Sequence, residues 1–335
     1  MQAAPQETPR SEPEELITDW YLPEADALEG FVYPGPVPIK EHSRLFEMAT
    51  KLLEMAKEKT ASGYEEFVVR INNRTFRGHK IQTITGAFYA LRRLPAYIPS
   101  LDKLGMDAAV RQILLHPNLC RGGLVLVCGE TGQGKSTTCA STVKERMISQ
   151  GSFCLTVEDP PEMPLHGAHG KGRCLQTEVQ SGKWAEAMRG AMRCYPTVSG
   201  SMLYVGETRD PETAVEVLRI ATNGHLVLTT IHAEGLDSAI RRYMSLAAAG
   251  MMESEVRNIM ASSFRLALHQ KLVDENGPNG VSKKRLKVGF LFSPNNRSPV
   301  AQKLRTGENL NNEIRMQELA LKNSGASGIM EMWNT

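Results

Sequence analysis

Apolar residues recur at every third or fourth position between residues 41 and 59, and this spacing predicts an amphipathic helix. The run at 67–71 then has the composition of a strand, Asn72-Asn73 that of a turn, and Thr75-Phe76 begins a second strand. The apolar face of the helix has to be covered, and a small sheet provides the surface. These patterns predict a small α/β domain over residues 39–94.

The segments on either side of this domain have a different composition. Residues 1–38 are rich in Pro, Glu and Ala, which predicts an irregular arm without a catalytic role. Residues 95–106 contain Pro95 and Pro99, which interrupt any regular pattern, so we predict an interdomain linker there. The remainder, 107–335, is then the larger domain.

Strand and helix patterns alternate through this larger domain, and the strand patterns are almost continuously apolar. Such strands are typical of a mostly parallel sheet with helices on both faces. The predicted order is helix 107–115, strand 123–128, a glycine loop, helix 135–149, strand 153–157, helix 183–194, strand 202–206, helix 211–222, strand 225–230, helices 236–248 and 253–270, strand 286–292, and helices 297–305 and 311–322.

Composition narrows the class of protein. The 335 residues, 41% of them apolar, suffice for about two packed domains, and a net charge of +2 gives no footprint for direct nucleic-acid binding. The six cysteines show no C-x-x-C spacing, so we expect reduced, structural thiols. No apolar run approaches the roughly 18 residues that a spanning helix needs. We therefore expect a cytoplasmic protein, able to dock on a membrane complex.

A phosphate-binding loop follows the apolar strand 123–128. Its eight residues have the spacing G-x-x-x-x-G-K-S and run directly into a helix, a combination that makes a chance glycine-rich turn a poor alternative. Lys135 would reach the β and γ phosphates, Ser136 would place its hydroxyl on Mg²⁺, and Thr137 would donate to phosphate. The loop consists of Gly129, Glu130, Thr131, Gly132, Gln133, Gly134, Lys135 and Ser136.

Three more strands carry polar residues to the same end of the predicted sheet, where ligands of open α/β sheets bind. The strand 153–157 runs into Glu158 and Asp159, either of which could activate water. The strand 202–206 delivers Glu207 as a carboxylate for Mg²⁺. The strand 225–230 leads to His232, whose imidazole can donate to the γ-phosphate; His225, at the start of that strand, ranks below it.

Two arginines four residues apart, Arg189 and Arg193, share one face of the helix 183–194. They reach either a phosphate or a neighbouring subunit, or they form a solvated, carboxylate-paired face, and the spacing supports both alternatives equally. Motifs of metalloproteases, serine hydrolases and protein kinases do not occur in the sequence.

Four segments stand in order along the chain: GETGQGKST at 129–137, TVEDPPE at 156–162, VGETRDPETA at 205–214 and NGHLVLTTIHA at 223–233. Together they resemble the Walker A, Asp box, Walker B and His box motifs of the secretion-ATPase superfamily, which includes pilus-retraction, type II and type IV secretion motors. The resemblance implies an α/β fold, with a RecA-like P-loop ATPase domain preceded by a small PAS-like α/β N-terminal domain. It also implies ATP and Mg²⁺ as ligands.

The resemblance further implies roles for single residues. Glu158 corresponds to the general base for water, Glu207 to the Walker B acid, and His232 to a sensor of the γ-phosphate. Arg92 or Arg93 would be a charge donated to the nucleotide from the N-terminal domain. Which of the arginines reach the nucleotide, with Arg189, Arg193 and Arg209 also considered, stays open.

One branch of the superfamily is favoured. The loop PPEMPLHGAHGKGRCLQTEV is longer and richer in glycine than in pilus motors, and it is similar to the type IVB secretion and conjugation branch typified by DotB and TraJ. The resemblance implies a homo-hexameric ring docked at the inner face of the cytoplasmic membrane, with components of a secretion complex as partners. A pilus motor, a hexameric nucleic-acid translocase and an ATP-binding scaffold are the alternatives.

Overall fold

A computed structural model of the chain describes residues 17–180, 182–196, 201–276 and 282–331. The chain divides into two compact units, Met1–Ala96 and Tyr97–Thr335. The boundary therefore lies near the start of the linker expected at 95–106. Most of that segment belongs to the second unit, because Ile98, Leu101 and Met106 are buried in its core.

The first unit is a six-stranded antiparallel sheet with one helix against it. Its strand order is β3-β2-β1-β6-β5-β4, and every neighbouring pair is antiparallel. The elements are β1 (Asp19–Pro23), β2 (Phe31–Tyr33), β3 (Val37–Pro38), α1 (Phe46–Ala61), β4 (Glu66–Ile71), β5 (Arg74–Thr83) and β6 (Gly86–Arg93).

The expectation of an irregular arm over residues 1–38 is wrong from residue 17 onward; residues 1–16 lie outside the described residues. Trp20 and Leu22 of β1 are 2% and 0% exposed, and Trp20 lies opposite Leu91 of β6 in the sheet. Strands of two to five residues separated by Pro and Gly give too short an alternation to recognise, yet burial of their apolar side chains stabilises the pairing.

The predicted helix and hairpin of this unit are present. Helix α1 buries one stripe, including Leu52 and Ala56, against the sheet, although it begins at Phe46 after two short 3₁₀ turns and not at residue 41. Asn72 and Asn73 both have positive φ, 47° and 61°, between β4 and β5. Asparagine tolerates this left-handed backbone, which is why the pair makes a tight hairpin turn.

The second unit contains an eight-stranded sheet in the order β14-β13-β7-β12-β11-β8-β10-β9. The neighbours from β13 to β10 are parallel, and each edge strand is antiparallel to its neighbour. Its elements are α2 (Ala108–Leu115), β7 (Gly123–Cys128), α3 (Lys135–Gln150), β8 (Phe153–Glu158), β9 (Gly167–His169), β10 (Gly172–Glu178), α4 (Trp184–Met192), β11 (Ser201–Val205), α5 (Pro211–Thr222), β12 (Leu226–Ile231), α6 (Leu236–Ala248), α7 (Glu253–Ser263), β13 (Phe264–Asn276), β14 (Ser282–Phe292), α8 (Pro299–Thr306) and α9 (Asn311–Glu331).

Helices cover both faces of this sheet, which explains its continuously apolar strands. In β7, Leu124 and Leu126 point into the core shared with α5 and α6, while Val125 and Val127 point into the core shared with α3. A parallel strand that is buried on both faces carries apolar side chains on both, so its sequence does not alternate between apolar and polar residues. The parallel α/β sheet predicted from the strand patterns is confirmed.

Three strands of this sheet differ from the prediction. The helix expected at 253–270 ends at Ser263, and β13 follows, parallel to β7. Leu266 and Leu268 point into one core and Phe264 into the other, so a run that satisfies a helical period is buried as a strand. The loop after β8 likewise contains β9 and β10, which extend the other side of the sheet.

Along the described part of the chain, no helix has both the length and the apolar character needed to span a membrane.

Four cysteines of the second unit are free thiols buried in its interior: Cys128, Cys139, Cys154 and Cys174. Cys194 is a free, exposed thiol.

Candidate functional site

The glycine loop joins β7 to α3 at the carboxyl edge of the parallel strands. Gly129, Gly132 and Gly134 have positive φ values of 151°, 75° and 80°. At Gly129 a side chain is also excluded by space, because a Cβ would lie 2.5 Å from the Gln270 carbonyl oxygen. No side chain caps the start of α3. Its first N–H groups and its dipole are therefore directed toward an anion held in the loop.

Lys135 is 8% exposed and lies across this loop. Its ammonium donates to the carbonyl oxygens of Gly129 at 3.0 Å and Glu130 at 2.8 Å, and lies 3.4 Å from His232 Nδ1. Burial lowers the pKa of Lys135, while the charge of Glu207 opposes that change. A cation held this way can exchange carbonyl partners for phosphate oxygens.

Glu207 and His232 meet beside Lys135, at the ends of the neighbouring strands β11 and β12. His232 Nε2 lies 3.2 Å from Glu207 Oε1, and Arg209 reaches Glu207 Oε2 at 2.9 Å. Since the Lys135 ammonium can only donate to Nδ1, the proton of a neutral His232 lies on Nε2 and is donated to Glu207. The structure thus brings together three of the residues that the sequence singled out.

Glu158 ends β8 and is 2% exposed. Burial raises its pKa to about 7, although hydrogen bonds from Gln176 and Thr156 lower it, and the charge of Glu162 raises it further. Gln176 Nε2 donates both to Glu158 Oε1 and to the Met163 carbonyl oxygen, each at 2.8 Å. A carboxyl group with a pKa near neutrality can take up or release a proton at ordinary pH.

Sequence reasoning missed Gln176 and assigned no role to Glu162. Gln176 was not recognised because β10 was read as loop. In the sheet it lies opposite Thr156, two residues before Glu158. The charge of Glu162 acts on the pKa of Lys135 as well as on that of Glu158. An apolar pattern in residues 172–178, Gly-Arg-Cys-Leu-Gln-Thr-Glu, is too weak to have indicated the strand.

Ser136 and Thr137 lie in the first turn of α3, partly buried. The described residues contain no group of three or more His, Cys, Asp or Glu side chains suited to hold a metal. Mg²⁺ in nucleotide sites takes one or two protein oxygens and completes its shell with phosphate and water. The Ser136 hydroxyl and Glu207 carboxylate are donors of that type, so these residues fit the ion.

The arginine candidates lie on β6 and on α4 or just after it. Arg92 and Arg93 end β6 in the first unit, where Arg92 Nε donates to Asp19 Oδ1 at 2.7 Å; their contact with nucleotide stays a prediction. Arg189 forms ion pairs with Glu212 at 3.6 Å and Glu216 at 3.7 Å, which favours the carboxylate-paired alternative for its helix face. Arg193 follows the same helix and is exposed.

His225 is far from the loop, as its lower rank anticipated. It precedes β12 whereas His232 follows it, so the strand, about 20 Å long, separates the two. Its Nδ1 is 2.7 Å from Ser201 Oγ and its ring stacks on Tyr195, with centroids 4.6 Å apart.

Comparisons with known proteins agree with this geometry. The family model described as type II/IV secretion system protein matches residues 46–332. The uncharacterised protein YggR of Escherichia coli is 36% identical over 216 residues, a match that covers 63% of this chain and 62% of that protein, so less than two thirds of the relative is spanned. The type IV pilus retraction ATPase PilT of Pseudomonas aeruginosa is 27% identical over 328 residues, covering 93% of this chain and 90% of PilT.

Two solved structures share the fold. The pilus retraction motor PilT with bound ADP has a TM-score of 0.68 at 25% identity, covering 96% of this chain and 90% of PilT. The ATPase DotB of Legionella pneumophila has a TM-score of 0.67 at 20% identity, covering 97% and 93%. These likenesses confirm the fold class, a RecA-like domain after a smaller α/β domain with an antiparallel sheet. The chain belongs to the family of type II/IV secretion system proteins.

Proposed function

We propose that this chain is an ATPase that hydrolyses ATP to ADP and phosphate and powers a type IV secretion system of the IVB or conjugative type. The observation that carries the proposal is the meeting of Lys135, His232 and Glu207 beside a phosphate loop, with a buried carboxyl group on the adjacent strand. A protein that only binds ATP needs the loop with its Lys135. It does not need Glu158, Glu207 or His232.

The loop would hold the phosphates through its backbone N–H groups and the start of α3. Lys135 would exchange the carbonyl oxygens of Gly129 and Glu130 for β- and γ-phosphate oxygens, a short movement of one flexible side chain. Thr137 would add a hydroxyl donor. When bound, Mg²⁺, held by Ser136 and Glu207 in this proposal, supplies neutralisation of phosphate charge.

Glu158 would orient the attacking water and accept its proton. Its pKa of about 7 suits this role, because it keeps a substantial unprotonated fraction at neutral pH while still binding a proton strongly enough to remove it from water. Gln176 donates to Glu158 Oε1 at 2.8 Å, and this contact would fix the orientation of the carboxylate toward the water. General-base assistance of this kind is worth about 10²–10⁴-fold in rate.

His232 would distinguish ATP from ADP. Its Nδ1 faces the ammonium that reaches the γ-phosphate, and its Nε2 faces Glu207. Loss of the γ-phosphate would return Lys135 to the loop carbonyls and His232 to its present contacts. The end of β12 therefore has a different set of partners before and after hydrolysis, as a motor requires.

The assembly that we propose is a homo-hexameric ring, cytoplasmic and docked at the inner face of the cytoplasmic membrane through components of the secretion complex. Arg92 or Arg93 would bring a charge from the first unit to the nucleotide. We expect no direct contact with nucleic acid. These proposals rest on the resemblance of the four motifs and of the long loop after β8, in which β9 and β10 form.

A pilus-retraction motor is the second candidate. A specific observation favours it, since PilT of Pseudomonas aeruginosa matches across 93% of this chain. The chemistry would be the same in both cases, so only the cellular process separates them.

The test combines hydrolysis with a cellular assay. Phosphate release by the purified chain should be lost in Lys135→Ala and kept in Lys171→Ala, which removes an exposed lysine of the same unit. In the source organism, Lys135→Ala should stop conjugative transfer or protein export and leave surface motility intact. Loss of pilus retraction alone would support the second candidate, and a wild-type chain that releases no phosphate would refute both.

A further inference from the structure

The phosphate loop is tied to β13 by two side-chain hydrogen bonds that the mechanism above does not use. Gln270 Nε2 of β13 donates to the carbonyl oxygen of Gln133 in the loop, at 2.6 Å. In return, the backbone N–H of Leu272 donates to Gln133 Oε1, also at 2.6 Å. Each glutamine thus contacts the backbone of the other element, one from the strand and one from the loop.

The orientation of the Gln270 amide is fixed by this partner. A carbonyl oxygen can only accept, so the nitrogen and not the oxygen of the amide must face Gln133. Gln270 is 1% exposed, and its Oε1 has no hydrogen-bond partner within the described residues. Burying an amide oxygen without a partner is unfavourable. Against that cost stands the hydrogen bond from its nitrogen to the loop.

Backbone packing reinforces the contact. A Cβ added to Gly129 would lie 2.5 Å from the carbonyl oxygen of Gln270, so the first residue of the loop packs directly against β13. Gly134, just before Lys135, is also close to this strand. A Cβ added to Gly134 would lie 3.4 Å from Nε2 of Gln270, which is van der Waals distance. Strand β13 therefore contacts the loop at its start, at Gln133 and at its end.

We propose that Gln133 and Gln270 are positioning residues that hold the phosphate loop in its nucleotide-binding conformation from β13. The proposal rests on the proposed function, since it concerns affinity for the same nucleotide. Without the hydrogen bonds of Gln133 and Gln270, which we call the clamp, the backbone in the middle of the loop would no longer be fixed. Nucleotide binding would then have to order this backbone again. Both side chains are uncharged and bind backbone groups, so we expect their loss to change affinity more than the chemical step.

The chain provides a matched control. Gln317 of α9 binds the backbone of Phe292 in β14 through both atoms of its amide, each at 2.7 Å. Like Gln270 it is almost fully buried, at 6% exposed, and it joins a helix to the antiparallel partner of β13. Removal of Gln317 has a comparable structural cost, but among the described residues its side chain is hydrogen-bonded to Phe292 and not to the phosphate loop.

The experiment measures Kd for a fluorescent ADP analogue with the full chain, together with thermal unfolding, for Gln133→Ala, Gln270→Ala, the double variant and Gln317→Ala. We expect Gln270→Ala to raise Kd about tenfold, the loss typical of a hydrogen bond that orders a binding loop. Because each side chain binds the backbone of the other element, each single variant keeps one of the two hydrogen bonds, so the double variant should bind more weakly than either single variant. Gln317→Ala should lower the unfolding temperature and leave Kd within about twofold of wild type.

Two results would overturn the clamp. One is a Kd for Gln270→Ala within twofold of wild type; the other is an equal loss of affinity in Gln317→Ala, which would make the effect one of stability alone. Lys135→Ala separates this failure from failure of the proposed function. If the wild-type chain binds ADP and Lys135→Ala does not, the nucleotide site is supported regardless of the results for the glutamine variants. A wild-type chain that binds no ADP would refute the site itself.

Discussion

The buried carboxyl group of Glu158 should destabilise the folded protein at neutral and alkaline pH. Glu158 is 2% exposed, and burial raises its pKa from 4.5 to about 7. Because the folded state holds this proton more tightly than the unfolded state, its favourable contribution is fully present below pH 4.5 and is lost as the pH rises through 7. At about 1.4 kcal/mol per pKa unit, the loss amounts to roughly 3 kcal/mol.

Replacement by glutamine removes this dependence. Glu158→Gln keeps the shape, stays neutral at every pH, and can still accept a hydrogen bond from Gln176. The difference in free energy of unfolding, variant minus wild type, should be near zero at pH 4.5 and should rise to roughly 3 kcal/mol in favour of the variant at pH 8. A residue retained at such a cost in stability is expected at a functional site.

The assay is urea unfolding of both proteins at pH 4.5, 6, 7 and 8, followed by tryptophan fluorescence, to which Trp184 of the same unit contributes. Glu234→Gln is the control, because it removes an exposed carboxylate near His232 and should change stability by less than about 0.5 kcal/mol at each pH. A difference between Glu158→Gln and wild type that does not vary with pH, or a wild type that is the more stable at pH 8, would refute the reasoning.

Three further predictions follow from the same contacts. Gln176→Leu removes a donor that favours the charged form of Glu158, so the pH at which kcat/KM for ATP falls to half on the acid side should rise by about one unit. Leu175→Ala is the control, and an unchanged midpoint in Gln176→Leu would contradict the prediction. His232→Ala should reduce the preference for ATP over ADP by about tenfold, measured as the ratio of their Kd values, since it removes a hydrogen-bonding group beside the γ-phosphate; an unchanged ratio would remove His232 as sensor. Leu126→Ala opens a cavity at a site that is 0% exposed and should cost about 3–5 kcal/mol in urea unfolding; a loss below about 1 kcal/mol would mean that the core around β7 relaxes.

The parallel sheet and the loop were accessible from sequence because their signals are local. Strand β7 is apolar at every position, the glycine spacing follows it directly, and Lys135 begins the next helix. The end of each parallel strand then placed Glu158, Glu207 and His232 at one edge, which needed only the rule that such ends meet.

The remaining parts depend on partners distant in sequence. Residues 264–270 carry a period that fits a helix, and only the place beside β7 makes them a strand. Trp20 and Leu22 looked like part of a proline-rich arm because their pairing partner, β6, lies some seventy residues later. Gln176 and Gln270 belong to no motif; the role of each depends on a partner distant in sequence, Glu158 Oε1 for Gln176 and the Gln133 carbonyl oxygen for Gln270.

The central claim is that Glu158 serves turnover and Lys135 serves binding at one nucleotide site. The most direct test measures ADP affinity and ATP turnover on the same preparations of wild type, Lys135→Ala and Glu158→Gln. The account predicts that Lys135→Ala loses both activities, while Glu158→Gln binds ADP with wild-type Kd and turns over ATP at least about 100-fold more slowly. Wild-type turnover by Glu158→Gln would contradict it.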